Sequence, residues 1–573
     1  MPRSFLVALN LATGAVRASG QTWQVGPVLF ASQGVMDGGN LGLERAYAAH
    51  GARLAASLEG QYSAIILESR TRDLTLVQDA LGLGQVYWGK SADWVVAGSS
   101  PLGVAATLGM EALEEAYFAP LLGWGLPRKL TPFRGVHALD GGTALTITPQ
   151  GDHLIRPWSP EPLPVRGDLD RQLEELIAEA IDLLVPSDQP SIFEVSGGTD
   201  SAVVSLQARR MGRDFTALTY VADRYVLGDD NGHSEVMVQH LGVPQHEIDG
   251  DVFRLCTKLH RLPDHPGSCR YLHAVDHIAE LAKQGGTRCY VTGVGGDLIF
   301  DYSGLVPAFL ADPLVRLRPV AALTQARRYA KERGGHRSAT HYLRYVALPL
   351  ARFYARGESL AQGLEPPKLP WLSKEFEAHS IALDKLSDVP RGMLPSAHYL
   401  WDAVFQMSRG ERLTAGFGPD VTTVHPLLHR PLVAFMLSLD METRRGLPGD
   451  RRLQRRYLAR YGPAQIAQRR TKGSAEPLRQ VHIGEAPEFL MDIRDHSRIE
   501  ARGWVEPQAW RQAVDQAALG ANPSFAFFAS AIEVELWLRA FEDHGLPKDL
   551  ALDLNASAAS QATTGEFAPK LDP

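Results

Sequence analysis

Cysteine is scarce: 573 residues contain only Cys256, Cys269 and Cys289, and no two of them form a C-x-x-C pair. This excludes a disulfide framework and a cysteine zinc site, and it fits a reducing compartment. Long apolar runs are missing too, since none approaches the roughly 18 residues that span a bilayer. The opening MPRSFLVALNLATG is too short and too polar for a secretory signal. The expectation is a soluble, cytoplasmic chain with no membrane contact. Positive charge is not in surplus either, with a net charge of -7, which argues against a dedicated nucleic-acid binder. No internal repeat is visible.

What is present is a globular composition, 45% hydrophobic and 21% charged, in a chain long enough for at least two domains. Residues 1–158 read as short strands between glycine-rich turns, among them YSAIILES, DLTLVQD, DWVVAGS and GTALTITPQGDHLI. RPWSPEPLPVRGD carries four prolines and predicts an extended linker, placed at 159–168. Beyond it Leu169, Leu173, Ile177, Ile181 and Leu184 recur at helical spacing behind Asp168, a candidate N-cap. The second domain is expected over 169–545. The remainder, 546–573, ends in NASAASQATTGEFAPKLDP, which is small, polar and aperiodic, and predicts a disordered tail.

The second domain alternates strand and helix: SIFEV, DSAVVSLQARRM, FTALTY, HSEVMVQHLG, PQHEID, YLHAVDHIAELAKQ and RCYVTG. Repeated β-α units imply an α/β fold with a mainly parallel sheet, whose ligands bind at the carboxyl ends of the strands. At one such end stands SGGTDS. Gly197 and Gly198 permit a tight turn and close backbone approach, while Ser196, Thr199 and Ser201 add hydroxyls beside the free N–H groups of a helix start. That combination binds phosphate. No lysine follows the second glycine, so it is not a Walker loop and its positive charge must come from elsewhere. Asp200 inside an anion site makes sense with Mg²⁺. At a second strand end, GVGGD presents Gly293, Val294, Gly295, Gly296 and Asp297, a partner carboxylate for the same ion. For either loop the plainer alternative is a helix cap in a glycine-rich turn.

These motifs in order, with ALTY between them and RRTKG after them, resemble the ATP-pyrophosphatase synthetase domain of the asparagine synthetase superfamily. VHPLLHRPLVAFMLSLD and LEGQYSAIILESRTRDLTLVQDALGLGQVYW are similar to further segments of that superfamily, and the likeness spans about residues 1 to 545. It implies an N-terminal glutaminase-like αββα (Ntn) sandwich, with the synthetase domain after it. It implies ATP as co-substrate, with Mg²⁺ on Asp200 and Asp297. The nucleotide would lie along Ser196 to Ser201, Leu218, Thr219, Tyr220 and Gly293 to Gly296, and Lys472 would support the acyl-adenylate.

Two departures narrow the implied activity. The glutaminase nucleophile of the superfamily is an N-terminal cysteine, whereas position 2 is Pro and no cysteine lies in the first domain. Val294 stands where asparagine-forming enzymes carry Glu and β-lactam synthetase Tyr, and it is neither acid nor base. The resemblance is therefore greatest to lasso peptide cyclases, which join a peptide's N-terminal amine to an acidic side chain. It implies a leader-cleaved core peptide as substrate, with the processing protease and a leader-recognition protein as partners. The alternative is an amide ligase of β-lactam synthetase type acting on a small molecule. A tRNA-modifying enzyme of the same ATP-pyrophosphatase group would need a cysteine set that is missing here, and a non-catalytic scaffold has no use for Asp200, Asp297 and Lys472. The arginine-rich run between 451 and 472 reads as a solvated helix face. His425 and His429 read as packing residues. Asp301 and Tyr302 form a weak candidate acid/base pair.

Overall fold

The computed structural model describes residues 5–555 except 124, 128, 222–229, 254–256, 302–306, 358–368, 377–392, 415–420, 447–448, 471–475 and 522–524. Tyr302 and Lys472 thus lie outside the described residues.

The first half contains two antiparallel sheets. One has the order β2-β1-β8-β7-β9, with β1 Leu6–Asn10, β2 Val16–Ser19, β7 Tyr87–Lys90, β8 Trp94–Gly98 and β9 Val136–Ala138. The other has the order β11-β10-β6-β5-β4-β3, from β3 Thr22–Val25, β4 Val28–Met36, β5 Gly60–Glu68, β6 Asp73–Gln78, β10 Ala144–Thr148 and β11 Gly151–Ile155. Val7, Leu9, Val95 and Ala97 of the first sheet meet Ile65, Leu67, Leu74 and Leu76 of the second. The alternate residues Tyr62, Ala64 and Ile66 face outward, where Leu43 and Leu54 of a helical segment, and Leu58 just after it, cover them. β5 is therefore apolar on both faces and shows no clean alternation. On the far side Leu6, Ala8, Tyr87 and Val96 pack under the helices Pro101–Leu108 and Glu115–Leu122 and the long C-terminal helix Phe525–His544. The layers run helix, sheet, sheet, helix.

The second half is built on five parallel strands in the order β14-β13-β12-β15-β16. They are β12 Ser191–Glu194, β13 Phe215–Val221, β14 Gln245–Asp249, β15 Cys289–Val291 and β16 Thr422–Val424. Phe193, Val195, Ala217 and Val291 pack with the helices Leu169–Leu184 and Thr199–Arg210. Ile192, Leu218, Ile248 and Tyr290 pack with the helix Leu272–Gln284 on the other face. Asp168 caps its helix, its Oδ1 accepting from the Arg171 N–H at 2.9 Å. Among the described residues no helix is long and apolar enough to cross a membrane.

Two stretches are more tightly held than their composition indicates. In the proline-rich segment Trp158 packs on Trp401, with ring centroids 5.3 Å apart, and the Leu163 N–H donates to the Ala434 carbonyl. Residues 546–555, assigned to a tail by composition, pack on the first half, where the Leu552 N–H donates to Thr107 Oγ1 at 3.0 Å. The rest of the expected tail, 556–573, is outside the described residues. The two halves also meet polar group to polar group: Gln61 Nε2 donates to the His425 carbonyl at 2.8 Å and the His425 N–H donates to Gln61 Oε1 at 3.0 Å. Beside them Arg430 forms an ion pair with Glu59.

Candidate functional site

The strand β12 ends at Glu194, and the chain turns through Ser196 and Gly197 into the helix Thr199–Arg210. Gly197 has φ +68°, and a Cβ there would strike the backbone of His233 and Ser234 on the neighbouring helix. The cap residue is Gly198, so no side chain accepts from the first-turn amides. A plain N-cap is therefore not what the sequence provides. The amide groups and the hydroxyls of Ser196, Thr199 and Ser201 instead make a donor-rich cradle for an anion. Ser196 Oγ and Ser201 Oγ lie 3.3 Å apart at its rim.

The second glycine-rich turn sits directly against this cradle. A Cβ on Gly293 would collide with Ser201 N, and one on Gly296 with the Asp200 carboxyl. Glycine at both positions is what lets the two loops touch. Asp297 follows at once, in the first turn of the short helix Gly296–Ile299. The structure thus brings Asp200 and Asp297 to one place at the carboxyl ends of β12 and β15. Among the described residues no cluster of three or more His, Cys, Asp or Glu side chains is assembled for a metal. A divalent cation held by these two carboxylates needs phosphate oxygens to complete its shell, which is the usual manner of Mg²⁺ with a nucleotide.

The positive charge missing from the first loop is supplied by Arg451. Its Nη1 donates to Thr199 Oγ1 at 2.9 Å and reaches Asp297 Oδ1 at 3.4 Å, so one guanidinium spans both loops. Arg451 is 4% exposed and has φ +50°, a left-handed conformation that a side chain rarely adopts. Gln454, one turn on, donates to Asp200 Oδ1, and Arg469 Nη1 donates to the Gly197 carbonyl at 2.8 Å. Arg455 binds Asp450 at 2.9 Å and the carbonyls of Ala467 and Arg469 at 3.0 and 2.7 Å.

The expectation of a solvated basic face is therefore corrected. The helix Arg452–Tyr461 has an outer row, Arg452, Arg456 and Arg460, paired with Glu442, Asp170 and Glu174. The inner residues Arg451, Gln454 and Arg455, with Arg469 beyond the helix, build the site. Sequence reading missed them because the charges that point inward and outward alternate within one run.

Of the remaining expected contacts, Leu218 and Thr219 are buried in β13, and their backbone lies in the parallel ladder, with the Leu218 carbonyl accepting from the Val195 N–H at 2.9 Å. The Tyr220 hydroxyl lies 3.4 Å from the Tyr290 hydroxyl, which in turn donates to Glu194 Oε2 at 3.3 Å. Burial raises the Glu194 carboxyl above the usual carboxylate range. Glu411, near the end of the helix Pro395–Thr414, is raised to about 7 by burial and by the nearby Glu194 charge. The sequence carried no local signal for it. Val294 lies half-buried against the apolar core, with its N–H donating to Thr292 Oγ1 at 3.2 Å. His425 is buried, held at 2.8 Å from Thr292 Oγ1 by Nδ1, and burial lowers it to about 4. His429 lies 3.4 Å from Glu179. Both are packing histidines. Asp301 is taken by Arg444 at 3.1 Å.

A family described as asparagine synthase matches residues 172–539, well over half of the sequence and all of the site just described. The chain belongs to the asparagine synthase family. Membership makes it an ATP-dependent amide ligase. No curated protein matches the chain. Among solved structures it is similar to "Structure of the allosteric regulatory enzyme of purine biosynthesis", at 11% identity over 50% of this chain and 73% of that one, with a TM-score of 0.19. It is similar also to the glutamine phosphoribosylpyrophosphate amidotransferase of B. subtilis complexed with ADP and GMP, at 11% identity over 52% and 71%, with a TM-score of 0.18. At those scores neither likeness bears on function.

Proposed function

We propose that this member of the family closes a macrolactam on a peptide, as lasso peptide cyclases do. It would activate a side-chain carboxylate as an acyl-adenylate and let the peptide's own N-terminal amine displace AMP. The observation that carries the reading is the position of the cysteines: all three follow residue 255, so the two-sheet half has no thiol to free ammonia from glutamine. The amine is then taken from the substrate itself on this reading. An amine and a carboxylate on one molecule give a ring.

The site residues take roles that follow from their placement. The amides of the Thr199 helix start, with the hydroxyls of Ser196, Thr199 and Ser201, hold the β- and γ-phosphates. Arg451 faces the charge that builds as pyrophosphate leaves, and Lys472 is assigned support of the acyl-adenylate on the family resemblance alone. Asp200 and Asp297 would hold Mg²⁺, which when bound neutralises that leaving group. The carboxylate oxygen forms a bond to the α-phosphorus while the α–β bridge breaks. The amine nitrogen then forms the amide as the bond to AMP breaks. Val294 cannot take the amine proton; the candidate is Glu411, whose buried carboxyl is raised to about 7 beside Glu194, at the end of the strand that leads into the phosphate loop. The two-sheet half serves as a wall of the pocket. Its holding of a folded peptide supplies the orientation on which ring closure depends. The processing protease and a leader-recognition protein are the proposed partners, and the cytoplasm the proposed compartment.

The test is incubation of the purified chain with ATP, Mg²⁺ and a peptide bearing a free N-terminal amine and an internal Asp or Glu. Loss of one water from the peptide mass, with AMP and pyrophosphate in equal amounts, is expected. Amide formation on small amino acids with the peptide untouched would place the chain with the β-lactam synthetase type instead.

A further inference from the structure

Residues 316–356 contain ten Arg or Lys and a single acid, Glu332. This surplus of nine belongs to a chain whose net charge is -7, so the remainder stands at -16. The segment folds as the helix Pro319–Glu332 followed by a helical run from Ala339 to Ala355 that is interrupted by a π turn at Leu343–Ala347. All ten cations are exposed. Glu332 is not available to them, because it is bound at 2.6 Å to Arg445 outside the segment. Arg318, Arg327, Lys331, Arg352 and Arg356 make no salt bridge among the described residues.

Apolar side chains stand among these charges. Leu317 is 88% exposed and Val320 78%, and Tyr345 and Leu348 are exposed as well. They are four of the eleven large hydrophobic residues exposed in the described chain, gathered within one short segment. Leu317 is moreover held at φ +56°, a strained conformation that presents it at the tip before the helix. On that helix Val320, Thr324, Arg327 and Lys331 repeat at helical spacing along the solvent side. An open groove lies beside Arg318, Val320 and Thr324. A second groove, lined by Arg445, Arg452, Arg455, Arg456 and Arg470 together with Glu442 and Asp450, adjoins the lobe across the Arg445–Glu332 and Arg328–Glu442 pairs. A helical face that is basic and apolar together, on an otherwise acidic protein, is an interaction surface.

We infer that the helical lobe 316–356 docks an acidic polypeptide segment with interleaved apolar side chains, supplied by a partner protein. Charge complementarity chooses the occupant. Carboxylates meet the unpaired guanidinium groups, and apolar side chains cover Leu317, Val320, Tyr345 and Leu348, which a bare polyanion leaves in water. An anionic membrane or a long nucleic acid would extend past the lobe and lie against the acidic remainder as well, whereas a short acidic segment meets the lobe alone, within about one Debye length of roughly 10 Å. Because the lobe is separate from the ATP loops, the inference stands whichever amide the enzyme forms.

Fluorescence anisotropy with a labelled synthetic peptide alternating Asp or Glu with Leu and Phe tests it on the full chain. The peptide is expected to bind at least about ten-fold more tightly than an oligoglutamate of equal charge. Affinity should fall as salt rises from about 0.1 M, where the Debye length is about 10 Å, to about 1 M, where it is about 3 Å. The triple variant Arg318→Glu, Arg327→Glu, Lys331→Glu should lose about ten-fold or more in affinity. The variant Leu317→Ser, Val320→Ser should remove the preference over oligoglutamate, and thermal unfolding confirms that both variants fold. No peptide binding, unchanged affinity in both folded variants, or equal or tighter binding of phosphatidylserine vesicles or duplex DNA would overturn the inference. So would self-association of the parent chain that the charge-reversed variant abolishes.

Discussion

Asp200 and Gly296 come from different loops, and the carboxyl of the first fills the space that a side chain on the second would need. The consequence is a cleft in which two carboxylates are juxtaposed only because one glycine has nothing to offer. Gly296→Ala is accordingly expected to abolish adenylation, measured as ATP–pyrophosphate exchange, while circular dichroism shows a folded chain. Exchange at the parental rate in that variant would mean that the two loops do not act on one ion.

Arg451 is the charge that spans the loops. Replacing it by alanine should lower single-turnover ring closure by roughly 10²–10³, the usual cost of removing one preorganised donor from a site of charge development. Lysine should restore part of that, since it keeps the charge but cannot contact Thr199 and Asp297 with one planar group. Nucleotide affinity should change less than turnover in both variants.

If Glu411 is the base proposed above, it sets a pH dependence. It must be deprotonated to accept the amine proton, so turnover should fall about ten-fold per pH unit as pH drops below about 7. Glu411→Gln should remove that limb together with most of the activity. The same shift acts in the opposite direction on stability: the folded state favours the protonated carboxyl, and this contribution is lost as pH rises through about 7. A pH–rate profile unchanged by Glu411→Gln would assign the proton transfer to another group.

His425 gives a stability signature of the other sign. Its folded pKa is lowered to about 4, so the unfolded chain binds the proton more tightly and stability is lost as pH falls from about 6.5 through about 4. The full window corresponds to about 3 kcal/mol at most, at 1.36 kcal/mol per unit. His425→Asn should flatten this part of the profile in urea unfolding, read as the midpoint against pH.

The site was legible where its chemistry is contiguous. SGGTDS and GVGGD announce themselves because glycine, hydroxyl and carboxylate must be adjacent to make such loops, and the alternation of strand and helix around them gave the parallel sheet. Arg451 was not legible, because nothing in DRRLQRR distinguishes the arginine that turns inward from its neighbours, and its left-handed backbone leaves no mark on the residue type. Glu411 is remote in sequence from Glu194 and becomes a titrating neighbour only through the packing of its helix. In the first half, strands covered on both faces lose the period-two signal, and β16, only three residues long, is too short to show one.

The exchange of hydrogen bonds between Gln61 and His425 limits how far the two halves are separate parts. The His425 ring bonds Thr292, and the Thr292 hydroxyl accepts the Val294 N–H, so a continuous polar connection runs from the sandwich to the glycine-rich turn. Replacing Gln61 by an apolar residue would leave the buried backbone of His425 without its partner, at a cost of about 1–3 kcal/mol for each stranded group. Grafting the sandwich of a relative onto this synthetase half would carry the same penalty unless a residue with both a donor and an acceptor came with it at position 61. Heredity at this joint is therefore shared: Gln61 and His425 can change together, but neither half is a module that recombination can exchange without regard to the other.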